Sequence, residues 1–495
     1  MNSVIFDNQT LMALAPMLIL GFTVVVVMIA IAMKRSNVVA GTLSVIGLNA
    51  AMLIVIAQLF GYLPSAEAVS TLFMLDGFAK FNMLMVLLSA LACFTLAYGY
   101  IDGYKDNKEE LYLLMLIATL GGLFMVASDH LASFFISLEL LSIPMYGMLA
   151  YTFNRNKSLE AGLKYLVLSA TASATMLMGM ALIYAYTGTL SFRQIGVGLY
   201  GMLQATENSG LLLIGSSMVL FGIAFKLSAV PFHTWTPDVY QGAPAPVATF
   251  LGSVAKVAML ALAVRFLATT AAALTPAIVT VLFVIAILSM IIGNLLALRQ
   301  TNIKRMLSYS SIAHLGYVLA IIASMKEQSA GLASLYMAVY ALTTVGVFGV
   351  ITIMSSPYKN HGEAEQIENY RGMFWQRPIL TAVMTVMLLS LAGVPLTAGF
   401  ISKFFAVFAT VQVQQWWLAG AIIVGSAISL YYYLHFMLIM FKRPQEQKDF
   451  DAVNHWGVQA GGIMVLLVTA LILFLGIFPS SLYKITQFAY IAPIQ

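Results

Sequence analysis

Between residues 10 and 478 the chain is built almost entirely from apolar stretches of roughly 20 residues, the length a helix needs to cross about 30 Å of hydrocarbon. These stretches lie near 10–33, 38–62, 79–101, 110–127, 130–151, 162–187, 210–232, 246–270, 275–298, 304–324, 330–354, 379–411, 416–441 and 456–478. They predict an all-α polytopic membrane protein of about fourteen transmembrane helices. Of its 495 residues, 61% are hydrophobic and 9% charged, whereas soluble domains carry about 25% charged residues. No soluble domain is expected.

The opening MNSVIFDNQT is polar and a span follows at once, so insertion is expected to use the first helix and not a cleaved leader. Cys93 is the single cysteine, which excludes a disulfide, a thiolate-held iron–sulfur cluster and a CxxCH haem site. If loops alternate sides, one side holds Lys34, Arg35, Lys105, Lys108, Arg155, Lys157, Arg299, Lys304, Arg305, Lys359, Arg371, Arg377, Lys442, Arg443 and Lys448. The other holds little beyond Arg193, Lys326 and Lys484. The positive-inside rule then puts both termini outside the cytoplasm. A net charge of +5 spread over short loops points to topology and phospholipid headgroups, with no nucleic acid as partner. GLYGMLQATENSG lacks the GxGxxG spacing and the flanking strand of a nucleotide site.

Two segments are abnormal. The stretches 210–240 and 379–411 run to thirty residues or more, each with an internal proline, in AFKLSAVPFHTW (Pro231) and SLAGVPLTAGFISKFF (Pro395). Proline removes a backbone donor and clashes with the preceding turn, so both helices are expected to unwind at midspan. Each carries a lysine near its break, Lys226 and Lys403. Such paired interruptions mark transporters built from inverted repeats.

Lys256 lies ten residues past Pro246, about 15 Å along a helix, too deep for its stem to return to the surface. Glu139, nine residues past His130, reaches a similar depth. A charge at the bilayer centre costs at least about 2.5 kcal/mol, and buried groups that lack a partner change protonation readily. Together Glu139, Lys226, Lys256 and Lys403 therefore suggest a proton path; the alternative is polar glue between helices. His314 could relay between lysines, or be a core histidine bonded to a carbonyl. His233 could line the path or cap the broken helix. Lys164, one turn after Glu160, could belong to the path or form a structural pair. Arg265, Tyr431, Tyr432, Tyr433 and His435 are expected to anchor and pack, and the small and hydroxylated residues of LSATASATMLMGMAL to let helices approach, with the ordering of water as their second possible role.

The stretches SDHLASFFISLELLSIPMYGML, GIAFKLSAVPFHTWTPDVYQGAPAPVATFL, TNIKRMLSYSSIAHLGY and LAGVPLTAGFISKFF resemble the antiporter-like subunits of the proton-pumping NADH:quinone oxidoreductase, respiratory complex I. The resemblance runs over nearly the whole chain. Two features narrow the type: no long lateral helix follows the fourteenth span, and the second broken helix carries Lys403 where another type has glutamate. The resemblance implies two inverted five-helix repeats, each with a broken helix. An N-terminal three-helix segment would cover 1–109, the first repeat 110–270 (broken near 226–231), the second 271–441 (broken near 393–403), and a C-terminal helix 442–495. It implies that Glu139 pairs with Lys226, that Lys256 bridges and that Lys403 terminates the path, with His314 on its polar axis. It also implies other membrane subunits as partners, a bacterial inner membrane, and no cofactor in this chain, flavin and iron–sulfur clusters residing in partner subunits. A free-standing cation/proton antiporter of the same fold and a purely structural membrane subunit remain as alternatives.

Overall fold

The computed structural model describes residues 8–102, 104, 107–197, 210–270, 276–324, 329–355, 363–444 and 452–491. Lys105, Lys326, Lys359 and Lys448 of the charge pattern and the glycine-containing stretch 198–209 lie outside the described residues. The helices are Asn8–Met33 (α1), Asn37–Leu59 (α2), Gly77–Ile101 (α3), Glu109–Ala127 (α4), Leu131–Leu149 (α5), Asn156–Thr187 (α6), Gly210–Leu227 (α7) and Trp235–Gly242 (α8). Ala245–Thr269 (α9) contains a π-helical turn over Leu251–Ala255. Pro276–Ala297 (α10), Ile303–Ala323 (α11), Ser329–Met354 (α12), Pro378–Ala392 (α13), Ala398–Gln412 (α14), Trp416–Phe441 (α15), Ala460–Ile477 (α16) and Pro479–Phe488 (α17) follow. Among the described residues thirteen helices are long and apolar enough to cross a membrane, and α13 and α14 are shorter apolar helices. No strand forms among the described residues, only isolated bridges.

Both long segments break where proline predicts. In the first, Ser228 turns left-handed (φ 62°), Pro231 follows, and the helix resumes at Trp235. In the second, Gly393 (φ 80°) ends α13, and α14 starts at Ala398 after Pro395 and a left-handed Leu396. The two halves stay close: Gly399 N–H donates to Ser390 Oγ at 3.2 Å, and a Cβ on Gly399 would lie 1.8 Å from the Ser390 carbonyl oxygen.

Three helices form the interior. The most apolar stretch of α9 is entirely buried and those of α11 and α12 are nearly so, whereas only a minority of the corresponding stretches of α1, α10 and α16 is buried. Lipid supplies no hydrophobic force between helices, so close approach depends on small residues. Gly121 on α4 faces the backbone of α5, where a Cβ would meet Leu141 N at 2.5 Å; Gly293 on α10 faces α11, where it would meet Ala313 N at 2.9 Å.

The helix ends on the basic side meet in a buried ionic cluster. Lys304, expected from sequence to be a topology signal facing lipid headgroups, is fully buried against Glu363, which also accepts from Tyr100 Oη. Its Nζ donates to the Ala243 carbonyl at 2.8 Å, and Ala245 N–H donates to Glu363 at 3.2 Å. Arg155 pairs with Glu363 at 3.5 Å and Glu365 at 2.6 Å, and Lys157 reaches Glu365 at 3.2 Å. Burying an ammonium costs several kcal/mol unless it is paired and hydrogen-bonded, and Lys304 is buried where Glu363 and the Ala243 carbonyl meet both needs. At the opposite end Arg265, expected to anchor, is instead a buried bidentate partner of Asp76 (3.1 and 2.6 Å).

Gly121→Val and Gly293→Val are each expected to cost about 1–3 kcal/mol through overpacking, read as lower yield and melting temperature of the extracted protein; Gly420→Ala, with open space around its Cβ, serves as the unaffected control. Burial pushes the Glu365 carboxyl up, but Lys304, Arg155 and Lys157 outweigh it and hold it below the usual value. A lowered carboxyl contributes stability above its unfolded value, about 4.3, and loses it as pH falls through the folded one. Glu365→Gln should accordingly flatten the loss of melting temperature below about pH 4.3.

Candidate functional site

Lys226, Lys256 and Lys403 all point into the protein and are buried. Lys226 occupies the last turn of α7. Its Nζ donates to Ser142 Oγ on α5 and Ser169 Oγ on α6, both at 2.7 Å, and lies 5.7 Å from the Tyr165 ring centre. Lys256 follows the π-turn of α9 directly. Its Nζ crosses the first break, donating to Ser228 Oγ at 2.5 Å and to the Lys226 carbonyl at 3.3 Å, with the Trp235 ring centre 5.6 Å away. Lys403, in the second turn of α14, donates across the second break to the Ala392 carbonyl at 2.9 Å and sits 5.2 Å from the Tyr317 ring centre. Each ammonium thus donates to oxygen acceptors that a broken or neighbouring helix provides, and each lies over an aromatic face, an arrangement that favours a cation.

A cavity of about 10 Å³ separates Lys226 from Lys256, lined also by Ser142 and Tyr165. That is about the volume one water needs, with enough polar neighbours to hold it. Between Lys256 and His314 lie the buried hydroxyls of Tyr240, Ser311 and Tyr340. The Tyr240 and Ser311 hydroxyls have no hydrogen-bond partner at standard geometry, an uncommon state for buried polar groups and one that water corrects. Gly252, inside the π-turn, brings the α9 backbone next to Tyr240 Oη and Thr344, where a Cβ would lie 3.0 and 3.1 Å from their atoms. His314 bonds Tyr336 Oη through Nδ1 at 2.8 Å and stacks among Tyr317, Tyr336 and Tyr340, with Tyr317 leading on to Lys403. The partner is a tyrosine hydroxyl and not a carbonyl, a contact that either a relay or a core histidine makes.

Glu139 lies one helical turn from Ser142 on α5, partly exposed, and its Oε1 is buried without a partner. It interacts with Lys226 through space but forms no ion pair with it, because the two serines hold the ammonium. The pairing implied by the resemblance is through space here, with no salt bridge between the two side chains. His233 lies half-buried in the first break, and no hydrogen bond joins it to the lysines. Lys164 stands apart in an ion network at the flank of α8, pairing with Glu160 at 2.6 Å and Asp238 at 2.9 Å, the latter shared with Arg305 at 2.6 Å. Sequence reasoning missed Ser142, Ser169 and Ser228. Ser142 follows Glu139 by three positions and shares its face, a usable signal; Ser169 was hidden among small residues whose expected task was packing.

Lys256→Met would leave the Ser228 hydroxyl and the Lys226 carbonyl without their donor at the break. It is expected to destabilise the subunit by about 1–3 kcal/mol, seen as a lower melting temperature of the purified protein. Lys256→Arg, which keeps a donor, should restore part of it.

Residues 128–429 match the family model described as NADH:quinone oxidoreductase/Mrp antiporter, TM, and the chain belongs to that family. Two relatives cover almost its full length. Both are called NADH-quinone oxidoreductase subunit N: that of Psychrobacter arcticus is 56% identical, over 98% of this chain and 98% of its own. That of Acinetobacter baumannii is 54% identical, over 96% of this chain and 95% of its own. Among solved structures, the chain is similar to one in respiratory complex I from Thermus thermophilus with bound aureothin, with a TM-score of 0.78, 31% identity, and coverage of 94% of this chain and 97% of that one.

Proposed function

We propose that this chain is a proton-translocating membrane subunit, of the subunit-N type, of NADH:quinone oxidoreductase. The observation that carries the reading is the burial of three lysines on one interior row, two of them reaching across the breaks of the discontinuous helices. A purely structural polar contact would be satisfied by a neutral side chain at lower desolvation cost. In this reading the Glu139 carboxylate stabilises the charged form of Lys226 through space. When that carboxylate is moved or neutralised, Lys226 releases its proton through the small cavity to Lys256. The Tyr240, Ser311 and Tyr340 hydroxyls and His314 carry it on towards Lys403, each step passing one proton to a neighbour that has just lost one. His233 and Lys164 take peripheral places, at the break and at the basic-side flank.

Two five-helix repeats underlie this arrangement in the same proposal, within segments 1–109, 110–270, 271–441 and 442–495. The first helix of each repeat packs on the second and on the last: α4 on α5 and α9, α10 on α11 and α15. A glycine seats the first pair in both repeats. With fourteen spans counted, including the broken pairs as one each, an odd number per repeat inverts the second relative to the first. The partners are other membrane subunits of the complex, neighbouring antiporter-like subunits among them, and phospholipid. Flavin and iron–sulfur clusters, and the redox chemistry that drives the path, belong to partner subunits. The setting is the bacterial inner membrane with both termini periplasmic.

In proteoliposomes holding the whole complex, Lys226→Ala is expected to abolish most NADH-driven acidification while the complex still assembles; pumping at the wild-type rate would overturn the proposal. Glu139→Gln, which keeps volume but removes charge, should lose pumping strongly, and Glu139→Asp less so. Equal pumping by all three forms would leave no electrostatic role for Glu139.

A further inference from the structure

The buried ionic cluster on the basic side has an opening. A cavity of about 470 Å³ between the ends of α3, α12 and α16 is lined by exposed Asp102 and Gln459 and by buried Tyr100. The Tyr100 hydroxyl donates to Glu363, whose side chain is fully buried, and Glu363 pairs with Lys304, equally buried. A surface cavity thus ends on a hydrogen-bonded series of three titratable groups. From Lys304 the same face of α11 carries Ser308 and Ser311, spaced at four and seven positions, about 6 and 10 Å along the helix. Ser311 is the hydroxyl without a partner that neighbours Tyr240 and Tyr340, between Lys256 and His314.

We propose that Tyr100, Glu363 and Lys304 form the proton-loading entrance from the basic face to the interior row, a use that rests on the proton-translocating reading above. Lys304 releases a proton inward along Ser308 and Ser311. The amine left behind takes the proton of Glu363 in its acid form, and the carboxylate is recharged from cavity water through the Tyr100 hydroxyl, which accepts one proton as it donates another. No electron moves, and each transfer leaves the donor ready to accept the next proton. Two features distinguish this cluster from ordinary helix-end glue. Its carboxylate accepts from the hydroxyl of a residue that lines a cavity, and the Lys304–Glu363 pair brackets the Ala243–Ala245 turn from which α9 carries Lys256 inward. The other charged groups facing Glu363 are Arg155, Glu365 and, past it, Lys157. Around the pair they complete a cluster of three cations and two carboxylates.

The test uses the whole complex in proteoliposomes, with acidification per NADH oxidised measured at several pH values and normalised to assembled complex. Tyr100→Phe removes the hydroxyl and leaves the Glu363–Lys304 bracket intact. Glu363→Gln keeps volume and an acceptor for Ala245 N–H but cannot carry a proton. Both are expected to lower pumping about tenfold or more, the range lost with a general acid–base group. Glu363→Asp should recover part of it with a displaced pH profile. If Tyr100→Phe pumps at the wild-type rate, or if Glu363→Gln lowers assembly while pumping per assembled complex stays intact, the cluster is structural and the inference falls. Lys256→Ala in the same preparations separates the two levels. Loss of pumping there with normal pumping in Tyr100→Phe and Glu363→Gln rejects the entrance alone, whereas normal pumping in Lys256→Ala rejects the proton-translocating reading itself.

Discussion

A helix that unwinds inside a membrane exposes carbonyl groups that neither lipid nor its own next turn can satisfy. A lysine brought to the same depth needs oxygen acceptors just as badly. Here the two needs answer each other. Lys256 donates to the Lys226 carbonyl and Ser228 at the first break, and Lys403 to the Ala392 carbonyl at the second. Most other features of the interior follow from these contacts. The π-turn sets Lys256 facing the break, Gly393 leaves room for the Lys403 stem, whose Cδ a Cβ would meet at 2.7 Å, and the aromatic rings of Trp235 and Tyr317 close over the ammonium groups.

A cation held by neutral oxygens and ring faces differs from one locked to a carboxylate. The charge is solvated without being neutralised, so its protonation responds to distant charges. Glu139 interacts with Lys226 through space, while serines, and not the glutamate, hold the ammonium. Direct ion pairs are instead kept for the two ends of the bundle, Arg265 with Asp76 at one and Lys304 with Glu363 at the other, where they also tie helix ends together.

Much of the fold was legible because it depends on local composition. The spans, both proline breaks and the burial of Lys226, Lys256 and Lys403 follow from run length, Pro231, Pro395 and depth along a helix. What escaped depends on how helices are rotated against one another. Lys304 looked like any basic loop residue, since its partner Glu363 lies 59 positions on and only the folded chain brings them together. Ser169 lay within a run of small residues that favours packing in general and shows nothing about which hydroxyl will meet Lys226. Arg265 was placed near a helix end correctly, but its position 189 residues from Asp76 gave no sign of a bidentate pair.

Between Lys256 and His314 the Tyr240, Ser311 and Tyr340 hydroxyls lie close together, with Tyr240 and Ser311 lacking a hydrogen bond of standard geometry. The most direct measurement is a cryo-EM map of the whole complex at a resolution that shows water. A proton path along the row requires ordered water bridging Tyr240, Ser311 and Tyr340 between Lys256 and His314. A dry, apolar-packed gap at that place would contradict it.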